Sequence, residues 1–138
     1  MQAVPLLAGF TLAAMNIATK KSKQYTGAFG EALTADYLAS RGDEIVDRNW
    51  RIREGEIDLI SLDANGTFHF VEVKTRSSLA FGHPFEAINK EKAHRMQRLA
   101  LAWLATNSCF GCDYEIDVVA ILIASDGSHT LEYRGAIL

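Results

Sequence analysis

The sequence predicts an α/β protein, a mixed central β-sheet flanked by helices in the order α-β-β-β-α-β-β. Three observations carry this. Two stretches have apolar residues at helical spacing, an Asn65-Gly66 pair separates two strand-like runs, and a later run is apolar almost throughout. The 138 residues suffice for one domain with a real core and are too few for two.

From Gly27 to Arg41, the residues Phe29, Ala32, Leu33, Ala35, Tyr37 and Leu38 fit one helix face, with Gly42 just past its end. Glu31 falls in the first turn, either as a partner of the helix dipole or as an acid reaching toward the sheet. Ile45–Arg51, Ile57–Leu62 and Thr67–Thr75 read as the first three strands. Ser77–His83 is a polar, glycine-containing loop placed to cover the end of the third strand, and His83 in it is a candidate proton carrier. The second helix runs from Asn89, its N-cap, to Thr106 and buries Ala93, Met96, Leu99, Ala100, Trp103 and Leu104, with Gln97 among them. Tyr114–Ile123 has the continuous apolar character of an interior strand, in which Asp117 reads as a structural acid paired with Arg51 or another strand cation. Ser125-Asp126-Gly127 makes the last turn, and Leu131–Tyr133 returns as an edge strand.

Residues 1–24 read as an N-terminal extension and 25–138 as the single domain. Val4–Ile17 is largely apolar but shorter than a membrane span, has no positive residue before it and is interrupted by Thr11 and Asn16. Met15 is a more ordinary start for a soluble protein, so residues 1–14 are read as upstream of the true start, with a signal peptide as the runner-up. Cys109 and Cys112 have CxxC spacing without a second pair, which excludes a closed tetrathiolate zinc site within one chain and gives no disulfide scaffold. A reducing cytoplasm is therefore expected.

The charged residues inside the strands are the informative ones. Leu, Ile, Val and Phe surround Asp58, Glu72 and Lys74, and a buried charge costs several kcal/mol unless it is paired or binds a metal. Glu72 and Lys74, two apart on a strand, share a face. A two-residue Asn65-Gly66 loop would set Asp58 opposite Val73 and send the acids to opposite faces. A three-residue loop, Ala64-Asn65-Gly66, sets Asp58 opposite Glu72 and Glu56 opposite Lys74, with paired Cβ atoms about 4.5–5.5 Å apart. The second register is expected, because it gives all four charges partners and lets two carboxylates share a divalent ion. The competing reading is a purely structural Asp/Glu/Lys network.

Asp58 followed by Glu72-x-Lys74 resembles the PD-(D/E)xK nuclease signature, with Ile57 in place of the usual proline. Gly27-x-x-Gly30-Glu31, Asn49-x-Arg51, Gly55 to Ile60, Phe70 to Arg76, Phe81-Gly82 and Asp117 to Ala120 together resemble the YraN family, relatives of Holliday-junction resolvases and restriction endonucleases, from about Tyr25 to Leu122. The family often carries a basic residue where this chain has Ala28. The resemblance implies a restriction-endonuclease-like domain. It also implies Glu31 as an extra metal ligand and Gln97 as a residue that positions a water.

The expected activity is hydrolysis of phosphodiester bonds in structured or branched DNA. Asp58, Glu72 and Glu31, with the carbonyl of Val73, would hold Mg²⁺ or Mn²⁺, and Lys74 would serve the attacking water. Arg53, Arg76, Lys92 and Arg95 are the candidate DNA contacts, and a homodimer is compatible with the sequence. The net charge of −3 is unusual for a DNA-binding protein and favours the alternative, a non-catalytic nucleic-acid-binding module on the same fold. No membrane role is expected.

Overall fold

A computed structural model describes residues 12–77 and 82–138, with side chains from Thr26 onward. Helix α1 (Leu12–Ser40) leads into strands β1 (Glu44–Ile52), β2 (Gly55–Leu62) and β3 (Phe68–Arg76). A 3₁₀ turn (Pro84–Ala87), helix α2 (Lys90–Thr106) and strands β4 (Tyr114–Ile123) and β5 (His129–Arg134) complete the chain. The strands lie in sequence order across one sheet, with β3 and β4 parallel and every other pair antiparallel. A parallel pair needs a crossover, and α2 is that crossover.

The core has two halves, one on each face of the sheet. Phe68, Phe70, Ile60 and Ile116 pack against Met96, Ala100, Trp103 and Leu104 of α2, while Leu59, Val71, Val119 and Ile121 pack against Ala35 and Leu38 of α1. The buried residues of α2 are those expected from its periodicity, and Asn89 Oδ1 caps it by accepting from the Lys92 N–H at 2.8 Å.

Helix α1 begins at Leu12, not at Gly27, so the expected boundary between extension and domain falls inside a helix. Residues 15–24 contain no proline and are rich in helix formers, which lets the helix continue through them. Residues 1–11, the bulk of the proposed upstream segment, lie outside those described, as does Phe81 of the quoted motif.

Gly30 explains why a glycine is tolerated in the middle of α1. A Cβ there would stand 1.9 Å from Thr75 Oγ1 and 3.1 Å from Thr75 Cβ, so the helix can cross β3 this closely only without one. Gly30→Ala is expected to destabilise by about 1–3 kcal/mol despite the better helix propensity of alanine. Adding Thr75→Ala should recover most of the loss, because Thr75 Oγ1 is buried without a hydrogen-bond partner. Urea unfolding of the single and double variants checks this, and a stability gain in Gly30→Ala alone would show that the close approach is not a constraint.

Candidate active site

The register between β2 and β3 decides whether the acids meet. Leu59 pairs with Val71, Ile60 with Phe70, Ser61 with His69 and Leu62 with Phe68, and the same register carried one step further sets Asp58 abreast of Glu72, not of Val73. The chain turns as the three-residue loop requires. Asp63 N–H donates to Thr67 O at 3.0 Å, Gly66 N–H donates to Asp63 O at 3.1 Å, and Gly66 sits at φ 84°.

The hydrogen-bond ladder stops at Leu59 and Val71, and beyond it Asp58 Oδ2 accepts the Val73 N–H at 2.8 Å. On the other side, Arg48 pairs with Leu59 and Trp50 with Ile57, which leaves Asn49 abreast of Asp58 in the left-handed region at φ 50°. The sheet is thus interrupted on both sides of Asp58. Non-glycine residues rarely hold this conformation and collect where function demands it.

Glu72 is 13% exposed at its side chain, and its Oε1 lies 3.1 Å from Lys74 Nζ and 3.7 Å from Lys92 Nζ. Glu31 comes in from α1 close enough to interact with the Asn49 side chain and with Glu56 and Glu72. Burial pushes Asp58 up to about 7, Glu72 adds to the rise with smaller effects of Glu31 and Glu56, and the Val73 N–H opposes it. Burial likewise raises Glu31. Burial works against the charge on Lys74, but the salt bridge to Glu72 and the nearby Asp58 favour it and hold Lys74 above its ordinary value; Lys92 is lowered, by burial first and then by Lys74. Three carboxylates, Asp58, Glu72 and Glu31, therefore face two lysines across a half-buried site. A deficit of positive charge among hard oxygen donors suits a divalent cation.

One expected pairing is corrected and a second is resolved. Glu56 does not serve Lys74; Arg51, opposite it on β1, donates to it from Nε at 3.0 Å and also from Nη2. Of the two partners expected for Asp117, Arg51 is excluded and another strand cation, His69 of β3, is found. Asp117 lies fully buried on β4, where it accepts from His69 Nδ1 at 2.7 Å, from the Ala136 N–H at 2.9 Å and from Tyr133 Oη.

Among the described residues, one trio, His69, Glu115 and Asp117, brings three metal-binding atoms within 4.8 Å of one another, a closeness that Asp58, Glu72 and Glu31 do not reach. Both nitrogens of the His69 ring are taken, Nδ1 by Asp117 and Nε2 by Asp63 Oδ2 at 2.8 Å. Asp117 and then Asp63 raise His69 to about 9 against the effect of burial, so the ring is an imidazolium held between two carboxylates at neutral pH. With both ring nitrogens held by carboxylates, the trio reads as an ion network that ties β3, β4 and the β2–β3 turn together, and a metal ion there would have to displace the ring proton. Sequence reasoning missed it, although a histidine between Phe68 and Phe70 on a buried strand was a signal.

The remaining candidates scatter. Lys92 joins the acids, Arg95 lies 4.0 Å from the position of a Cβ on Gly55, and Arg53 is exposed in the β1–β2 turn. Arg76 is half-buried at the end of β3, where its Nη1 donates to Thr75 O at 3.3 Å. Gln97 is not gathered with the acids; its amide donates to Tyr114 Oη at 3.1 Å, and Tyr114 pairs with Phe68, six positions before Lys74. His83 Nδ1 accepts from the Phe85 N–H as the cap of the 3₁₀ turn. Cys109 and Cys112 are free thiols beyond α2, and burial with Cys109 nearby raises Cys112, the opposite of an activated nucleophile.

Comparison with known proteins agrees with the motifs. The chain is similar to UPF0102 proteins of Beutenbergia cavernae (46% identity over 113 residues, 82% of this chain and 95% of the relative), Trichlorobacter lovleyi (42%, 82% and 89%) and Nocardia farcinica (46%, 83% and 90%). It also resembles the crystal structure of a repair endonuclease from Pyrococcus abyssi at 21% identity and a TM-score of 0.36, covering 70% of this chain and 39% of that one. The profile of the uncharacterised protein family UPF0102 matches residues 30–121, and the chain belongs to that family, which is also called YraN.

Proposed function

We propose that this protein is a metal-dependent nuclease that hydrolyses phosphodiester bonds in structured or branched DNA. The observation that carries the reading is the carboxylate of Asp58, set at a break in the sheet, facing Glu72 with Lys74 salt-bridged beside it. An ordinary structural network neutralises its acids, whereas here burial first, and then Glu72 and the other acids, push Asp58 toward neutrality.

Asp58 and Glu72 would hold the cation, with Glu31 and the carbonyl of Val73 as further donors. When bound, the cation lowers the pKa of a water and offsets negative charge on the phosphate. Lys74, fixed by Glu72, orients the attacking water and steadies the charge that grows on the phosphate oxygens as the new P–O bond forms and the old one breaks. The Val73 N–H fixes the Asp58 carboxylate, and Asn49 steadies Glu31. Their part is positioning.

Incubation of single-stranded, duplex and branched DNA with the protein and Mg²⁺ or Mn²⁺ tests the reading, and cation-dependent cleavage of the branched substrate is the expected result. Failure to cut any of the three would remove it. A non-catalytic binding module is the second reading, favoured by the net charge of −3 and by the exposed, uncharged Ala28 on α1. It expects binding that weakens steeply with salt and no cleavage. Under either reading, Arg95→Ala should weaken binding to all sequences alike and reduce the slope of log affinity against log salt by about 0.7–0.9, measured by fluorescence anisotropy. Among the described residues, no helix is long and apolar enough to cross a membrane.

A further inference from the structure

Reading across the sheet rather than along the chain places an arginine in line with Glu72. Glu72 pairs with Val118 on β4, and Val118 pairs with Arg134 on β5, so Glu72, Val118 and Arg134 form one row. Directly paired residues share a face of the sheet, and this row lies on the α2 face, where Glu72 meets Lys92. Strands are about 4.8 Å apart, which sets the Arg134 backbone roughly 10 Å from that of Glu72. A nucleotide or two of one strand covers that span.

A cavity of about 310 Å³ opens at this end of the row, bordered by Phe85, Asn89, Lys90, Val118, Arg134 and the segment 135–138. No Asp or Glu side chain lines it, although the chain is acidic overall. The Arg134 guanidinium lies 4.3 Å from the centre of the Phe85 ring and makes no ion pair among the described residues, in contrast to Arg41 and Arg51, each bound to a carboxylate. Phe85 is itself fixed, because His83 caps the 3₁₀ turn that carries it and the buried Pro84 anchors that turn. Lys90 begins α2 and brings a second cation to the rim. An arginine without an ion pair among the described residues, on an aromatic ring and beside a cavity lined by no Asp or Glu side chain, suits a phosphate and a flat base together.

We infer that this cavity is a subsite for the nucleotide flanking the scissile phosphate, with Arg134 on its phosphate and its base against the edge of Phe85, whose ring already packs on the Arg134 guanidinium and the His83 ring, an assignment that rests on the nuclease reading. A base seated there is unstacked from its neighbours. The preferred substrate therefore carries an unpaired nucleotide beside the cut, as at a branch or a flap, and intact duplex is disfavoured.

The test separates this subsite from the cleavage reaction. A 5′-phosphorylated thymidine dinucleotide is titrated into the full chain without divalent cation and followed by NMR, with shifts expected at the Arg134 Nε–H and the Phe85 ring. Arg134→Gln, on the protein surface, is expected to bind a fluorescent single-stranded oligonucleotide about tenfold more weakly, with the salt slope reduced by about 0.7 for one lost phosphate contact. Phe85→Leu should lower affinity and leave that slope unchanged. Shifts confined to Lys74 and Lys92, or wild-type affinity and slope in a folded Arg134→Gln, overturn the subsite and leave the nuclease reading standing. Shifts at Arg134 and Phe85 in a protein that cuts no DNA support the nucleotide pocket and defeat the nuclease reading instead.

Discussion

Asp58→Asn is expected to abolish cation-dependent cleavage and, without cation, to make the protein more stable than the wild type. The loss follows from removing a charged oxygen donor that a hard divalent ion requires. The gain follows from the sign of the shift on Asp58, whose carboxyl rises from 3.8 to about 7 on folding. A group raised in this way contributes its full stability below 3.8 and loses it as pH climbs through about 7, so at pH 8 the wild type carries an ionised, crowded carboxylate that asparagine relieves. Asparagine keeps an oxygen to accept the Val73 N–H. The expected gain is about 2 kcal/mol at pH 8, or several degrees in melting temperature, and it should vanish near pH 4. Glu72→Gln should likewise stop cleavage, with a smaller gain because Lys74 and Lys92 lose their partner. Thermal unfolding at the two pH values, beside a cleavage assay, reads both halves. Cleavage at wild-type rate by Asp58→Asn would end the metal-site argument, and equal stability at pH 8 would show that the acids do not repel.

The register that brings Asp58 to Glu72 could be read in the sequence because turn chemistry is local. Gly66 alone satisfies the positive φ at the end of a three-residue loop, and Asp63 completes the turn by accepting the N–H groups of Asn65 and Thr67 through Oδ1. The bounds of β4 and the buried face of α2 were legible for a similar reason, since an interior strand and a one-sided helix write their surroundings into their periodicity. The start of α1 was not legible. Its extra turns lie ahead of two helix-weakening glycines, and only the contact of Gly30 with Thr75 explains why one of them is there.

Charge partners were harder to read than positions. Glu56 looked committed to Lys74 from the hairpin alone, but β1 lies on the other edge of β2 and offers Arg51 directly opposite. Asn49 shows a further limit: its role comes from a backbone conformation that breaks the β1–β2 pairing, and nothing in the residue type announces this. Arg134 was invisible for a topological reason. Only the parallel pairing of β3 with β4 puts it in the row of Glu72, and that pairing depends on a crossover whose landing place the sequence does not state.

The same topology supports the largest structural effect expected. Asp117→Asn should destabilise the protein by about 3–5 kcal/mol, a large part of the total stability of a domain this size. Asp117 is fully buried and gathers His69, Tyr133 and the Ala136 N–H, while Tyr133 in turn accepts from Arg41 Nη2 at 3.2 Å. Neutralising it leaves an imidazolium on a buried strand with Asp63 at 2.8 Å and the half-exposed Glu115 at 3.5 Å as its remaining carboxylates. The pH dependence separates this ion network from a simple packing defect. His69 rises from 6.5 to about 9 on folding, so its contribution is fully present below 6.5 and is lost as pH climbs through about 9. Tyr133 is raised by burial and by Asp117 and stays protonated across that window. Asp58 titrates in the same window, so the comparison is made in an Asp58→Asn background: there urea midpoints should fall between pH 6.5 and 9.5, whereas adding His69→Gln should leave them changing much less over the same range. A double variant, His69→Gln with Asp117→Asn, should cost less than the sum of the two singles, because each single strands a charge that the double removes. A flat pH profile in the Asp58→Asn background, or strict additivity in the cycle, would mean that His69 is neutral in the folded protein, and the reading of that trio as an ion network would fall with it.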